Sequence, residues 1–463
     1  MPGQGRISAA LFAVFLMIAI SAVQASADEY TSMSLEELMD VKLSIASKKA
    51  LTSRESPGIV TVITREEILN TGARDLLEVL TLLAPGIGFG VDVEGVVGIG
   101  MRGIWGHEGK ILLMIDGQEV NEEQFATSQF GNHYPVETIE KIEIIRGPGS
   151  AIYGGYASLG VINIISRAND LKGGFVSGHY AQTSKDFANR TVAFGLGDRR
   201  DDLSFSLTGL MSQGARSDRH NVDVMGNAVS MKGDSELNPT QLNFNLKYGE
   251  LDVRAIMDQY RTTQRDLWGE NYQAGALDED FDSYLFGLKY SFKEVGGEKL
   301  TLIPEWKLKI QKPWNVSIPD QTYTNDKEAQ KMQLGLTGIW DITSNNNIVM
   351  GVEGYNSTLS MPDNPGPFEE TFKNRDSDLE YNNLAGYLQW MNTNEYFNTT
   401  LGGRYDYFDE YGSSFTPRAG VTKAWDKLHA KLMYSKSFRI PGGIIPNRIP
   451  DGHDGVSPEE AQN

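Results

Sequence analysis

The chain has 463 residues, a formal net charge of −19 and no cysteine, with 40% hydrophobic and 10% aromatic residues. The acidic balance excludes a general nucleic-acid binder, which needs a basic face to displace counterions, and the missing thiols exclude disulfide frameworks, thiolate catalysis and cysteine-ligated zinc or iron–sulfur sites. A count of 49 glycines with 19 tyrosines and 19 phenylalanines leans towards β structure, and the length suggests three domains unless a large barrel breaks the usual count.

Arg6 precedes an apolar stretch from Ala9 to Val23, about 15 residues and short of the roughly 20 that span a bilayer as a helix. Ala25-Ser26-Ala27 is a small-x-small cleavage site, so residues 1–27 read as a secretory signal peptide cut after Ala27, with a membrane anchor as the alternative. No cysteine follows the cut to carry a lipid, and no later segment is apolar enough for a transmembrane helix. An exported chain of this kind can still enter a membrane as a β-barrel, because closed barrels satisfy every backbone group in lipid.

Residues 28–55 follow. Ser34, with Glu37 three residues on, has the capping-box pattern for a short helix carrying Leu35, Leu38 and Val41. The extended run from Val41 to Lys49 reads by itself as a linker.

From about Pro57 to Arg167 strands alternate with helices. Ile59–Ile63 is a predicted strand, and Thr64 caps a helix with Glu66 and Glu67 in its electropositive first turn. A second helix runs from about Ala73 to Leu83 and stops at Pro85-Gly86. Ile111–Ile115 is a continuous apolar strand, buried on both faces and turned by Asp116-Gly117. Ile139–Ile145 and Gly160–Ile165 are two more, which completes a small α/β domain at residues 56–168.

After Asn169 the period changes to two. Leu203, Phe205 and Leu207 alternate with Ser204, Ser206 and Thr208; Leu242, Phe244 and Leu246 alternate with Asn243, Asn245 and Lys247. Tyr284, Phe286, Leu288 and Tyr290 alternate with Ser283, Gly287 and Lys289, and Leu401, Tyr405 and Tyr407 with Thr400, Arg404 and Asp406. Runs of about ten residues with one apolar face, aromatics near their ends and loops of unequal length describe an outer-membrane barrel better than a soluble sandwich. Arg216–Pro239 and Pro362–Glu380 are the long loops.

About 13 candidate strands lie between Leu171 and Arg439, so a plugged barrel of about 22 strands would need on the order of 450 to 500 residues after the α/β domain. Residues 169–463 supply fewer than 300. The last residues, Ser457 to Asn463, read as a polar loop, and a barrel cannot end on an open edge in lipid. The expectation is a truncated barrel.

Motifs for chemistry fail on context. Gly98-Ile99-Gly100-Met101-Arg102-Gly103 fits G-x-G-x-x-G, but it leads towards a strand and not into the helix whose N-terminus would meet a pyrophosphate. Gly147 to Gly154 is Gly-rich without the Gly-Lys-Ser/Thr of a phosphate loop. His107-Glu108 lacks a second histidine at helical spacing, and the six histidines are scattered. No catalytic residue, cofactor or metal site is expected, and the chain does not read as an enzyme.

Ser56-Pro57-Gly58-Ile59-Val60-Thr61-Val62-Ile63-Thr64-Arg65-Glu66-Glu67-Ile68 resembles the opening of the plug domain of TonB-dependent outer-membrane receptors. So do Pro85-Gly86, Met101-Arg102-Gly103, Ile115-Asp116-Gly117, and the stretch Ile139 to Gly154 with Ile144-Ile145-Arg146-Gly147-Pro148-Gly149-Ser150 at its centre. Leu159 to Arg167, containing Asn163, continues the likeness. Thr416-Pro417-Arg418, Ser437-Phe438-Arg439 and Ser457-Pro458-Glu459 look like signatures of its barrel. The fold implied is an antiparallel membrane β-barrel, about 22 strands in the complete family member and incomplete here over residues 169–463, with an N-terminal α/β plug domain in the lumen.

The resemblance implies TonB-dependent active transport of a scarce ligand, such as a siderophore, haem or cobalamin, across the outer membrane of a Gram-negative cell. Uptake of a carbohydrate or peptide by the same machinery, a passive porin or adhesin barrel, and a non-functional fragment are the alternatives. TonB with its inner-membrane energising complex would pair with a periplasmic box as an added β-strand. The box falls on Asp40, Val41, Lys42, Leu43, Ser44, Ile45, Ala46 and Ser47 within the N-terminal segment, and the short stretch before it suits a transporter better than a transducer.

The other partners implied are an extracellular small-molecule ligand, outer-membrane lipid and lipopolysaccharide, and the barrel assembly machinery, for a chain working as a monomer. Arg102 and Arg146 match plug arginines that pair with carboxylates on the inner barrel wall, with surface arginines as the alternative. Gly103, Asp116, Gly117, Gly147, Pro148, Gly154 and Asn163 match positions that shape the plug. Trp105 and His107 in one plug loop, and Phe125, Phe130, His133 and Tyr134 in another, either stack on ligand or pack against the barrel wall.

Overall fold

The computed structural model describes residues 56–92, 95–169, 171–183, 187–222, 226, 228–264, 276–317, 326–361, 378–425, 428–440, 442 and 458–462. The signal-peptide segment 1–27, the N-terminal segment 28–55 with the box at 40–47, and most of the expected loop Pro362–Glu380 lie outside the described residues.

The first domain is built as its sequence directs. Strand β1 (Val60–Thr64) leads into α1 (Arg65–Thr71), where Thr64 and Glu67 close a capping box: Glu67 N–H donates to Thr64 Oγ1, and Thr64 N–H donates to Glu67 Oε2 at 2.8 Å. Helix α2 (Leu76–Leu83) starts three residues later than expected, because Asp75 Oδ1 accepts from Glu78 N–H at 2.9 Å and so acts as its N-cap. A Gly-rich hairpin, β2 (Ile87–Val91) and β3 (Val97–Met101), continues into the short β4 (Ile104–Trp105).

Then come β5 (Ile111–Ile115), buried at every position, β6 (Gln118–Glu119), β7 (Ile139–Arg146), the single-turn α3 (Ser150–Tyr153) and β8 (Gly160–Ser166). The main sheet runs β1-β7-β8-β5-β6, with β5 parallel to β8 and the other pairs antiparallel. One face packs on the helices through Leu76, Leu80, Ile142 and Ile144.

The barrel wall follows as β9 (Gly173–Gln182), β10 (Phe187–Arg200) and β11 (Leu203–Ala215), a side hairpin β12 (His220–Val222) and β13 (Ala228–Ser230), then β14 (Glu236–Tyr248), β15 (Leu251–Gln264) and β16 (Leu277–Tyr290). It continues through β17 (Leu300–Ser317), β18 (Glu328–Asp341), β19 (Asn346–Ser360), β20 (Asp378–Thr393), β21 (Asn398–Phe408), β22 (Gly412–Ala424), β23 (His429–Arg439) and β24 (Glu459–Gln462). Without the side hairpin these make one 14-stranded sheet of antiparallel neighbours in chain order, with β9 and β24 at its two edges.

The last residues therefore correct the sequence expectation. Glu459–Gln462 is a strand on β23, fully exposed and tied by Lys436–Glu460 and Arg439–Glu459 ion pairs, so no apolar alternation announces it. The sheet curves around the first domain. Its outward residues form an apolar band in which Leu203, Phe205, Leu242, Phe244, Phe286, Leu288, Leu334 and Leu388 are all exposed. The inward partners, among them Thr208, Asn243, Asn245 and Arg254, are polar and buried against the plug. Among the described residues no helix is long and apolar enough to cross a membrane, which says nothing of strands.

Candidate functional site

The chemistry of the molecule lies where the plug meets the inner wall. The turn after β5 needs left-handed backbone at two residues, and Asp116 (φ 51°) and Gly117 (φ 80°) supply it. This aims the Asp116 carboxylate at the wall, where Oδ2 accepts from Arg254 Nη1 at 2.5 Å, from Asn243 Nδ2 at 3.0 Å and from Ser166 Oγ at 2.6 Å. Asn163 Oδ1 accepts from Gly117 N–H at 3.1 Å and holds the turn from the neighbouring strand.

A second cluster sits just beyond β6. Lys309 Nζ on β17 contacts Glu119 Oε1 at 2.6 Å, contacts Glu123 Oε1, and donates to the Asn121 carbonyl at 2.8 Å. Lys331 Nζ on β18 lies 3.1 Å from Glu119 Oε1 and 3.4 Å from Glu123 Oε1. The other Glu123 oxygen accepts from Ser357 Oγ at 3.3 Å and Tyr381 OH at 3.2 Å. Burial raises the Glu119 carboxyl, but Lys309 and Lys331 outweigh it and hold the group well below the usual carboxylate range.

Sequence reasoning missed this cluster. Its signal was present in Lys307 and Lys309 at period two on one strand, between the outward residues Trp306, Leu308 and Ile310.

The arginines depart from expectation. Arg102 is exposed and donates to the Arg146 carbonyl at 2.9 Å; Arg146 donates to the Pro85 carbonyl at 3.0 Å and to Thr61 Oγ1 at 2.8 Å. Burial, with Arg102 nearby, holds the Arg146 guanidinium below its usual range. Among the described contacts neither meets a wall carboxylate. Several plug–wall ion pairs run the other way, with acids on the plug and bases on the wall: Asp116 with Arg254, Glu119 and Glu123 with Lys309 and Lys331, and Glu108 with Arg439.

Gly103 (φ 78°) turns the chain between β3 and β4, and Gly147 (φ 125°) with Pro148 turns it after β7. Gly154 (φ 79°) does more, because a Cβ there would come within 3.2 Å of Arg404 Nη2 on β21, whose guanidinium is already held by Glu353 and Asp406.

The aromatics separate into two groups. Phe130, His133 and Tyr134 are buried against the wall. The His133 ring lies between Tyr134 and Tyr260, at centroid distances of 3.9 Å and 4.3 Å, and its Nε2 is 3.0 Å from Asp258 Oδ1. Tyr260 OH reaches the Phe130 and Gly131 carbonyls at 2.9 Å and 2.8 Å. Phe125 is half-buried, edge-on to Trp314. Trp105 and His107 stay half-exposed; the indole covers Gly98 and Gly90, and His107 stacks on it at 6.3 Å with Nε2 3.7 Å from Asp92 Oδ2. In the apparent dinucleotide motif Gly98 thus makes room for the Trp105 indole, Gly100 for the Ile104 carbonyl, and Gly103 makes the turn.

The profile described as TonB-dependent Receptor Plug Domain matches residues 52–161, and that described as TonB dependent receptor-like, beta-barrel matches residues 165–463. The vitamin B12 transporter BtuB of Vibrio vulnificus is 35% identical over 147 residues, 30% of this chain and 23% of that protein. An iron-regulated outer membrane virulence protein of Vibrio cholerae is 24% identical over 424 residues, 86% of this chain and 59% of its own length, so the chain spans less than two-thirds of either relative. The crystal structure of the siderophore receptor PirA from Acinetobacter baumannii superposes with a TM-score of 0.66 at 18% identity, over 89% of this chain and 68% of that one. The chain belongs to the TonB-dependent receptor family of outer-membrane barrels, whose members are receptors and transporters and not enzymes.

Proposed function

We propose that the protein takes part in TonB-dependent uptake of a metal chelate or cobalamin across the outer membrane. The observation that carries this reading is the seated plug: a folded domain is held in the lumen by buried ion pairs such as Asp116–Arg254, an arrangement of no use to a passive porin. Relatives whose names specify vitamin B12 transport and iron regulation favour a chelate or corrin over a carbohydrate or peptide.

In this reading residues 1–27 direct export, the plug occupies 56–168, the wall begins at 169, and Asp40 to Ser47 form the strand that TonB captures. The long loops face outward and the short turns face the periplasm. Trp105 and His107, half-exposed at the β4 end, are the aromatics positioned to meet ligand. Lipopolysaccharide around the apolar band, the barrel assembly machinery and a monomeric state complete the proposal.

The test is uptake of labelled ferric chelates, haem, cobalamin and an oligosaccharide by cells with and without the gene. Gene-dependent uptake of one of the metal compounds supports the reading. Uptake of the oligosaccharide alone favours the carbohydrate alternative.

A further inference from the structure

A void of about 720 Å³ lies between plug and wall. At the short-turn end it is lined by Arg199, Lys247 and Lys289, near the ends of β10, β14 and β16. Its opposite limit can be followed along the strands, where inward side chains recur about every 7 Å.

On β17 the inward order is Glu305, Lys307, Lys309 and Gln311. The first two line the void; Lys309 is bound to Glu119 and Glu123, and Gln311 accepts from Glu123 N–H. On β18 Gln333 and Lys331 line the void, and the next inward residue, Ala329, is in an apolar cluster. On β19 Glu353 and Tyr355 line it, Ser357 bonds Glu123, and Leu359 joins the same apolar cluster. Beyond the void the wall turns apolar on β18 and β19, at Ala329 and Leu359, and on β17 it is closed by Gln311 bonded to Glu123; the Glu119/Glu123/Lys309/Lys331 layer lies at this limit on all three strands.

We propose that these four residues are the closing layer of a solute passage along the β17–β20 wall, and that the cargo it admits is anionic. The inference rests on the transport reading above. Both carboxylates belong to the plug and both ammonium groups to the wall. Withdrawal of the β6 loop therefore removes negative charge and leaves two lysines facing the passage, with the Tyr355 ring 4.3 Å from Lys331 Nζ. Glu119 and Lys331 are the members that line the void; the Glu119 side chain is 27% exposed, while Glu123 is fully buried.

The experiment reads leak without energised uptake. Cells lacking the inner-membrane energising complex carry the full-length protein, and influx of two hydrophilic dyes of equal size, one anionic and one cationic, is followed. Glu119→Gln with Glu123→Gln should raise anionic influx about tenfold or more over wild type, with a smaller rise for the cationic dye. Lys309→Gln with Lys331→Gln should admit both dyes alike. Glu119→Gln alone, which leaves every Glu123 contact in place, carries the same expectation as the double exchange if that variant does not fold. Protease resistance of the plug and the amount of protein in the membrane are measured alongside. Wild-type influx in the carboxylate variants at equal protein level, an equal rise for both dyes, or the same leak from Asp116→Asn, which is outside the layer, overturns the proposal. Because no energy source is present, this outcome is separate from failure of the uptake reading itself.

Discussion

Asp116 in the plug and Arg254 on the wall meet at 2.5 Å with side chains only 1% and 6% exposed, so a turn residue of one domain and a strand residue of the other form a buried ion pair. Removing one partner leaves the other charged and unpaired. Asp116→Ala should destabilise the seated plug by about 3–5 kcal/mol, read by denaturant unfolding or protease protection of β5. Asp116→Asn combined with Arg254→Met should cost less than Asp116→Ala alone, because no buried charge is stranded.

Asp75 gives the plug a pH dependence. Burial pushes its carboxyl up to about 6 while Oδ1 caps α2 and Oδ2 accepts from Asn132 N–H at 2.5 Å. The folded value lies above the unfolded one of about 3.9, so the stability this proton brings is complete below the unfolded value and lost as pH rises through about 6. Wild-type stability minus that of Asp75→Asn should therefore increase as pH is lowered from 7 to 4, measured by unfolding across the series. A difference that stays flat would contradict the raised value.

Gly154 and Gly117 both adopt positive φ, but only Gly154 faces a neighbour, Arg404 at 3.2 Å from its would-be Cβ. Gly117→Ala should cost about 1–2 kcal/mol of backbone strain. Gly154→Ala should cost more, because it also displaces a guanidinium held by two carboxylates. Melting temperatures of the two variants check the order.

The aromatics should divide by phenotype. Phe130→Ala should lose about 3–5 kcal/mol of stability, as expected for a buried ring, and Tyr260→Phe about 1 kcal/mol for its hydroxyl bonds. Trp105→Ala and His107→Ala should weaken ligand binding with smaller effects on unfolding. Titration with the transported compound, paired with unfolding curves, separates the two groups.

Much of the architecture was legible because periodicity and burial agree. Ile111–Ile115 is a wholly apolar run and is buried at every position; Thr64 and Glu67 stand at capping-box spacing and form the box. The alternation of Leu242, Phe244 and Leu246 with asparagines and lysine marks the two faces of β14. Thirteen strands of the large sheet lie between Leu171 and Arg439, as the spacing suggested.

The hairpin β2–β3 was not legible. Gly88, Gly90, Gly98 and Gly100 have poor strand propensity, and three of them, Gly90, Gly98 and Gly100, occur there because Trp105 and neighbouring backbone press close. The one-turn helix at Ser150–Tyr153 is too short to show a period. The wall lysines opposite Glu119 and Glu123 depend on register between β17, β18 and a loop nearly two hundred residues earlier, which no local pattern encodes. The expectation that Arg102 and Arg146 meet wall carboxylates came from resemblance, and the described contacts of both arginines are to carbonyls and a hydroxyl of the plug.

The most direct test of the central claim is uptake of the transported compound in cells expressing the protein with and without residues 40–47, each with the proton gradient intact or collapsed. The account predicts that uptake needs both the segment and the gradient, while ligand binding at the cell surface needs neither. Uptake that continues at the same rate without the segment, or after the gradient is collapsed, would contradict it.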